Sequence, residues 1–201
     1  MNFKKIMIVM FMCFGITIYA QDNLSFGVKG GVNLAGFRSG QSTFTSRVAP
    51  SFGGMVEWKF SKILTVQGEL LYNSRGGNYE VEVFDSFYLG TLITKLGYLD
   101  IPIQGKLYFL KKMSFDFGPQ IGFLLSKKGE IDTGAGNDQD RQEVDLDDVN
   151  TMDFSLAAGF SYKFKSNILI QTRYNFGLSK VFDDKKYKTS LISLSLGYYF
   201  Q

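Results

Sequence analysis

The last stretch of the chain, Thr189 to Gln201 (TSLISLSLGYYFQ), restricts the possible folds more than any other. From Leu191 it alternates: Ile192, Leu194, Leu196, Tyr198 and Phe200 point one way and Ser193, Ser195, Gly197 and Tyr199 the other, because successive strand side chains take opposite faces. This is a strand with one apolar face, and no later segment covers its open hydrogen-bonding edge. Such an edge invites aggregation unless something pairs with it. Closure onto the first strand, making a barrel, is the economical solution.

The same period of two recurs along the chain. Leu24–Ala35 sets Phe26, Val28, Val32 and Leu34 against Lys29 and Asn33; Ser51–Phe60 sets Phe52, Val56, Trp58 and Phe60 against Glu57 and Lys59. Ile63–Asn73 opposes Leu64, Val66, Leu70 and Tyr72 to Gln67 and Glu69, with Leu71 breaking the pattern. Tyr98–Phe109 opposes Leu99, Ile101, Ile103, Leu107 and Phe109 to Asp100, Gln104 and Lys106, and Pro102, which lacks an N–H for the ladder, predicts a local irregularity. Ser114–Ser126 carries Asp116 opposite its Phe and Ile residues, Met152–Phe164 carries Asp153 and Lys163, and Ile168–Leu178 carries Arg173. With the terminal stretch these make eight strands. Connections after the first, third, fifth and seventh are long and polar, and those after the second, fourth and sixth are tight. That asymmetry marks an all-β, eight-stranded antiparallel up-and-down barrel inserted from one side of a membrane. The segment 74–95 contains YEVEVFDSFYL, whose alternation suggests a hairpin extending strands three and four, and 127–151 reads as a mobile polar loop.

Residues 1–20 read as a cleavable signal peptide: Lys4 and Lys5, an apolar run Ile6–Ile18, and Ile18-Tyr19-Ala20 before Gln21. The barrel domain is then 21–201. The run of 13 residues is short for a spanning helix, which needs roughly 20. The one cysteine, Cys13, falls in this leader, so the mature chain holds no disulfide or thiol nucleophile. Without Lys4 and Lys5 the charges are 20 basic against 19 acidic, a balance that offers no basic surface for nucleic acid. Histidine is absent, which removes the commonest general base and with it most hydrolase constellations; no catalytic residue, metal ligand or cofactor is expected.

Alternation alone leaves open which face is outside, since a soluble lipocalin-like barrel alternates too, with its apolar face around a ligand. Volume argues for the membrane. An eight-stranded barrel is just wide enough for side chains, and the apolar set, with its many Phe and Trp58, is too bulky for that space. The opposite face is rich in Gly, Ala and Ser. Aromatics gather at the short-turn ends (Trp58 and Phe60, Tyr108 and Phe109, Tyr162 and Phe164, Tyr198 and Phe200), where an interfacial girdle belongs.

Five stretches, FGVKGGVNLA, ELLYNSRG, YLDIP, FGPQIGFLL and RYNFGLS, resemble the PorT-like outer-membrane β-barrel family, often labelled porin-family proteins, of Gram-negative bacteria. The resemblance covers essentially all of 21–201. It implies an eight-stranded barrel in the bacterial outer membrane, with membrane lipid as its surroundings. It also implies that Tyr198 and Phe200 form the terminal aromatic signal read by the barrel assembly machinery during insertion, here followed by Gln201. The family name also suggests an accessory of a secretion machinery.

The lumen-facing charges nearly balance, Lys29, Lys59, Lys106, Lys163 and Arg173 against Glu57, Glu69, Asp100, Asp116 and Asp153. Isolated charges in so narrow a space are costly, so pairing into a network that fills the centre is expected, with Arg173 reaching across to Glu69. An ion-selective path or small porin is the alternative. The loops offer two binding candidates: an acidic cluster, Asp132, Asp138, Asp140, Asp145, Asp147 and Asp148, without calcium-loop spacing, and the aromatics Tyr79, Phe84, Phe87 and Tyr88, for an extracellular or envelope protein partner. The expected product is a monomeric, non-enzymatic envelope protein with a structural or interaction role.

Overall fold

The described residues form nine strands: β1 (Leu24–Arg38), β2 (Thr45–Lys59), β3 (Leu64–Glu82), β4 (Leu89–Leu110), β5 (Met113–Asp132), β6 (Arg141–Val144), β7 (Met152–Lys163), β8 (Ile168–Gly177) and β9 (Lys188–Phe200). The structure is a computed structural model that describes residues 23–38, 45–82, 89–132, 141–144, 149–179 and 188–200. Residues 1–20, Gln201, Phe84, Phe87, Tyr88 and the acidic residues 138, 140, 145, 147 and 148 lie outside the described residues.

Every strand but β6 pairs with at least two neighbours, all antiparallel, β5 with three, and β1 closes on β9 from Phe26↔Phe200 to Arg38↔Lys188. The open edge of the terminal strand is thereby consumed. Closure also fixes the barrel's shape. Stepping from partner to partner, Leu24 leads through Trp58, Val66, Gly105, Phe117, Ala158, Tyr174 and Ile192 back to β1 at Leu34, ten residues further along. A shear of ten over eight strands spaced about 4.8 Å tilts them about 40° from the axis and gives a backbone radius of about 8 Å. At that tilt the ten residues of β8 advance about 25 Å along the axis, the height of an outer-membrane hydrocarbon band.

Burial alternates without a break in β8 and from Leu191 onward in β9, and the apolar residues are the exposed ones. Among the described residues thirty-five large hydrophobic side chains face outward and ten apolar ones are buried, so the chain is inside out relative to a water-soluble barrel. Phe123, Phe154 and Leu194 all point out, which removes the lipocalin-like alternative. Two lumen-side glycines explain how strands pass so closely. A Cβ at Gly53 would lie 2.0 Å from the Leu70 carbonyl oxygen, and one at Gly118 would lie 2.0 Å from that of Ile103.

The short turns carry recognisable chemistry. Ser61 Oγ accepts from the backbone N–H of Ile63 and Leu64 in the β2–β3 turn. Lys111 and Lys112 form the β4–β5 turn, and Asn167 takes the left-handed conformation (φ 61°) that ends the four-residue β7–β8 loop. The β3–β4 ladder is interrupted opposite Pro102 between Gly68↔Ile103 and Leu71↔Asp100 without a change of register.

Several boundaries differ from the sequence reading. β2 begins at Thr45, with Pro50 on the outward side, and a register shift between Ser46 and Ser51 absorbs the irregular start. The hairpin suggested by YEVEV exists: nine pairs from Ser74↔Gly97 to Glu82↔Leu89 carry β3 and β4 about 30 Å beyond Asn73 at 3.3 Å per residue. The segment from 127, read as loop, continues β5 to Asp132, and Arg141–Val144 adds a short strand to it. Polar composition hid both strands because their hydrogen bonds come from neighbours distant in sequence.

The lumen as candidate functional site

The ionic side chains that period two turns inward are stacked in tiers along the axis. Nearest the short turns, Glu57 lies between two lysines, Lys163 at 2.9 Å and Lys106 at 3.5 Å. Tyr199 donates its hydroxyl to the same carboxylate at 2.8 Å. Its ring also lies 4.0 Å beneath the Lys163 ammonium. One tier further out, Glu69 holds two cations at once: Lys29 Nζ donates to both of its oxygens at 3.1 Å, and the Arg173 guanidinium forks onto them at 2.9 and 2.6 Å. This bidentate geometry is the strongest arrangement open to an arginine and a carboxylate.

Amide side chains tie these tiers together. Gln67 accepts from Lys106 at 2.7 Å and donates to Glu69. Gln104 accepts from Arg173 at 2.6 Å. Gln171 accepts from Lys29 and Arg173 and donates to Asp116 at 2.6 Å. Asp116 has no cation partner among the described residues; Ser114, Ser161 and Gln171 supply its donors.

At the outer end the sign is inverted. Arg75 sits between Asp100 at 2.6 Å and Asp153 at 2.5 Å, with its guanidinium 4.5 Å over the Tyr98 ring. Asn33 donates to Asn73, which donates to Asp100. Among the described residues no hydrogen bond crosses from the middle tier to this one. Between them the Gln120 amide, Ser155 Oγ and Asn175 Oδ1 are buried without a partner in the chain.

The formal charges close. The lower and middle triads each carry +1, the outer triad −1 and Asp116 −1, so the ten charges of these four groups sum to zero. All are buried or nearly so, with Glu57, Asp100, Lys106 and Asp116 fully enclosed. A buried charge is tolerable only when paired and hydrogen-bonded, and this arrangement meets that demand tier by tier.

Against the residues singled out from sequence, the structure brings Lys29, Glu69 and Arg173 together, joins Glu57 to Lys106 and Lys163, and places Asp100 with Asp153. Two placements differ. Lys59 is exposed at the short-turn mouth because its strand ends there, and Asp116 is held by neutral donors instead of a cation. Arg75 is absent from that set because it falls in 74–95, part of the long connection that the sequence places after the third strand. Leu71, the exception to alternation, is a lumen residue 3% exposed. Its register partners on the lumen face are Gly53 and Asp100.

The girdle at the short-turn end is built from ring pairs on the outer face: Trp58–Phe60 at 4.3 Å, Tyr162–Phe164 at 4.6 Å and Tyr198–Phe200 at 5.8 Å. Tyr108, grouped with these from sequence, instead turns into the mouth, because it shares the lumen face with Lys106.

The Outer membrane protein beta-barrel domain family matches residues 19–183. No curated protein matches the sequence. The fold is similar to that of Neisserial surface protein A, with a TM-score of 0.58 and 12% identity over 89% of this chain and 100% of that one. It is similar to a major outer membrane protein of Thermus thermophilus, with a TM-score of 0.52 and 11% identity over 88% and 99% of the two chains. Ail, the attachment invasion locus protein of Yersinia pestis, in complex with the heparin analogue sucrose octasulfate, matches with a TM-score of 0.51 and 16% identity over 89% and 99%. At these identities the likeness is one of fold. With a lipid-facing apolar exterior, an aromatic girdle, and a family match over most of its length, this chain belongs to the outer membrane protein β-barrel domain family and resides in the bacterial outer membrane.

Proposed function

We propose that this protein is a non-enzymatic envelope component whose lumen is sealed and whose outer ribbon, the extended β3–β4–β5 sheet with β6 on its edge, meets an extracellular or envelope partner. The observation that carries this reading is the neutral, buried charge network: it occupies the space a conducting path would need. Length then falls where a partner would be met, since β4 has 22 residues and β8 ten. Within the family we place the chain with the PorT-like barrels. The five motifs that suggest this carry the lumen residues Lys29, Asn33, Glu69, Asn73, Arg75, Asp100, Gln120, Arg173 and Asn175. Residues 1–20 are, on this reading, removed during export, and Tyr198 and Phe200 present the assembly signal.

Two measurements test the proposal. Purified barrel in planar bilayers gives no stable single-channel conductance; steady openings that vanish on Arg173→Gln would refute the sealed lumen. Cells carrying a chain with the ribbon shortened by joining Gly77 to Thr94 lose surface adhesion while the barrel still inserts. Unchanged adhesion would refute the ribbon's role.

A further inference from the structure

The short-turn mouth is a bowl of about 380 Å³ open to the periplasm. Six lysines line it: Lys59, Lys62, Lys111, Lys112, Lys163 and Lys165. They come from all three tight turns and the strand ends beside them, so they surround most of the rim. Among the described residues the lining holds one acid, Glu57, and that carboxylate is already held by Lys106, Lys163 and Tyr199. Among the described residues Lys59, Lys62, Lys111 and Lys165 make no ion pair, and Lys112 leans toward the Tyr162 ring at 5.9 Å. The charge groups beneath the mouth sum to zero, so they do not balance this excess.

We propose that the mouth is a binding site for an anionic phosphate group, supplied either by a soluble phosphate ester of the periplasm or by an anionic phospholipid headgroup of the inner leaflet. Three features fit phosphate. The cations are all lysines, compact point charges of the kind that bind phosphate. Thr65 and Tyr108 add neutral hydroxyls to the same lining. The bowl is closed below by the Glu57 tier, so a ligand would be held at the mouth and not conducted through it. Its volume lies at the small end of ligand sites, about 300–1,000 Å³, which suits a diphosphate or a headgroup better than a folded partner. The girdle rings place the turn lysines at headgroup height, which is why both sources can reach the site.

The test uses the full mature barrel in a phosphate-free maltoside detergent at low salt, titrated calorimetrically with inorganic pyrophosphate. Wild type binds, and Lys62→Gln/Lys111→Gln/Lys165→Gln binds at least tenfold more weakly. Lys127→Gln/Lys128→Gln, at the opposite end, binds as wild type does. The heat-dependent shift in gel mobility verifies that each variant is folded, and Lys59→Gln alone provides a second reading, with a smaller loss. Native mass spectrometry of barrel extracted from phosphatidylglycerol vesicles then separates the sources. Lipid retained by wild type and lost in the triple variant identifies the headgroup, whereas pyrophosphate binding without retained lipid identifies a soluble ester. No binding by wild type in either assay, or equal binding by the triple variant, would overturn the site. Neither outcome bears on the sealed lumen or the outer ribbon.

Discussion

Among the described residues Glu69 is the one lumen carboxylate that answers two buried cations by hydrogen bonds to both of its oxygens, so charge removal there should cost far more than removal of either partner. In Glu69→Gln, Lys29 and Arg173 remain buried with no anion between them. Each lost contact at about 4 Å would be worth about 4 kcal/mol at an effective dielectric of 20; after relaxation, a net loss of about 3–5 kcal/mol is typical of a buried charge left unpaired. Lys29→Gln is different in kind. It leaves the Glu69–Arg173 fork intact and neutral, and the expected loss is that of one or two hydrogen bonds, about 1–2 kcal/mol. Reversible urea unfolding of barrel folded into phosphatidylcholine vesicles measures both. With a slope of about 2 kcal/mol/M, Glu69→Gln lowers the midpoint by about 2 M and Lys29→Gln by less than about 1 M. Equal losses, or a Glu69→Gln loss under about 1 kcal/mol, would show that water screens these charges as it does surface pairs, and the account of a dry, ion-paired plug would fail.

Two further perturbations probe the wall. Gly53→Val places a side chain where a single Cβ would already meet the Leu70 carbonyl oxygen at 2.0 Å, so the folded gel band should be lost or the stability fall by several kcal/mol, whereas Gly105→Ala, with 3.7 Å of room, should fold normally. Leu194→Arg, on the lipid face midway along β9, should cost about 2–4 kcal/mol in bilayers and Phe60→Arg, at the girdle, about 0–1 kcal/mol; equal costs would contradict the placement of the hydrocarbon band.

Side-chain direction was legible from sequence wherever a strand is half lipid-facing, because greasy and small or charged residues then alternate strictly. Lys29, Glu69 and Arg173 stand mid-strand in such patterns, so their inward aim follows from period two alone. Arg75 was illegible for a local reason: the two glycines after it, Gly76 and Gly77, erase the alternation just where β3 leaves the hydrocarbon and its outer face ceases to be apolar. The continuation of β5 was hidden in the same way. Above the bilayer both faces meet water, and strand formation there depends on a neighbouring backbone that the sequence does not display. The count of charges could reveal neutrality but not partners, so Asp116, satisfied by two hydroxyls and an amide, was indistinguishable from an ion-paired carboxylate.

The lumen contacts differ in how much of the chain must be in place before they can form. Arg75 and Asp100 lie 25 residues apart on adjoining strands of one hairpin, so they can cross the bilayer already neutralised by each other. Glu69 and Arg173 are separated by 104 residues and Glu57 and Lys163 by 106, on strands that do not touch until the sheet is rolled up. The first kind eases translocation. The second acts as a latch, rewarding closure of the sheet with a further cation for carboxylates that Lys29 and Lys106 also hold, and so makes a half-rolled sheet in hydrocarbon a state the chain is driven to leave.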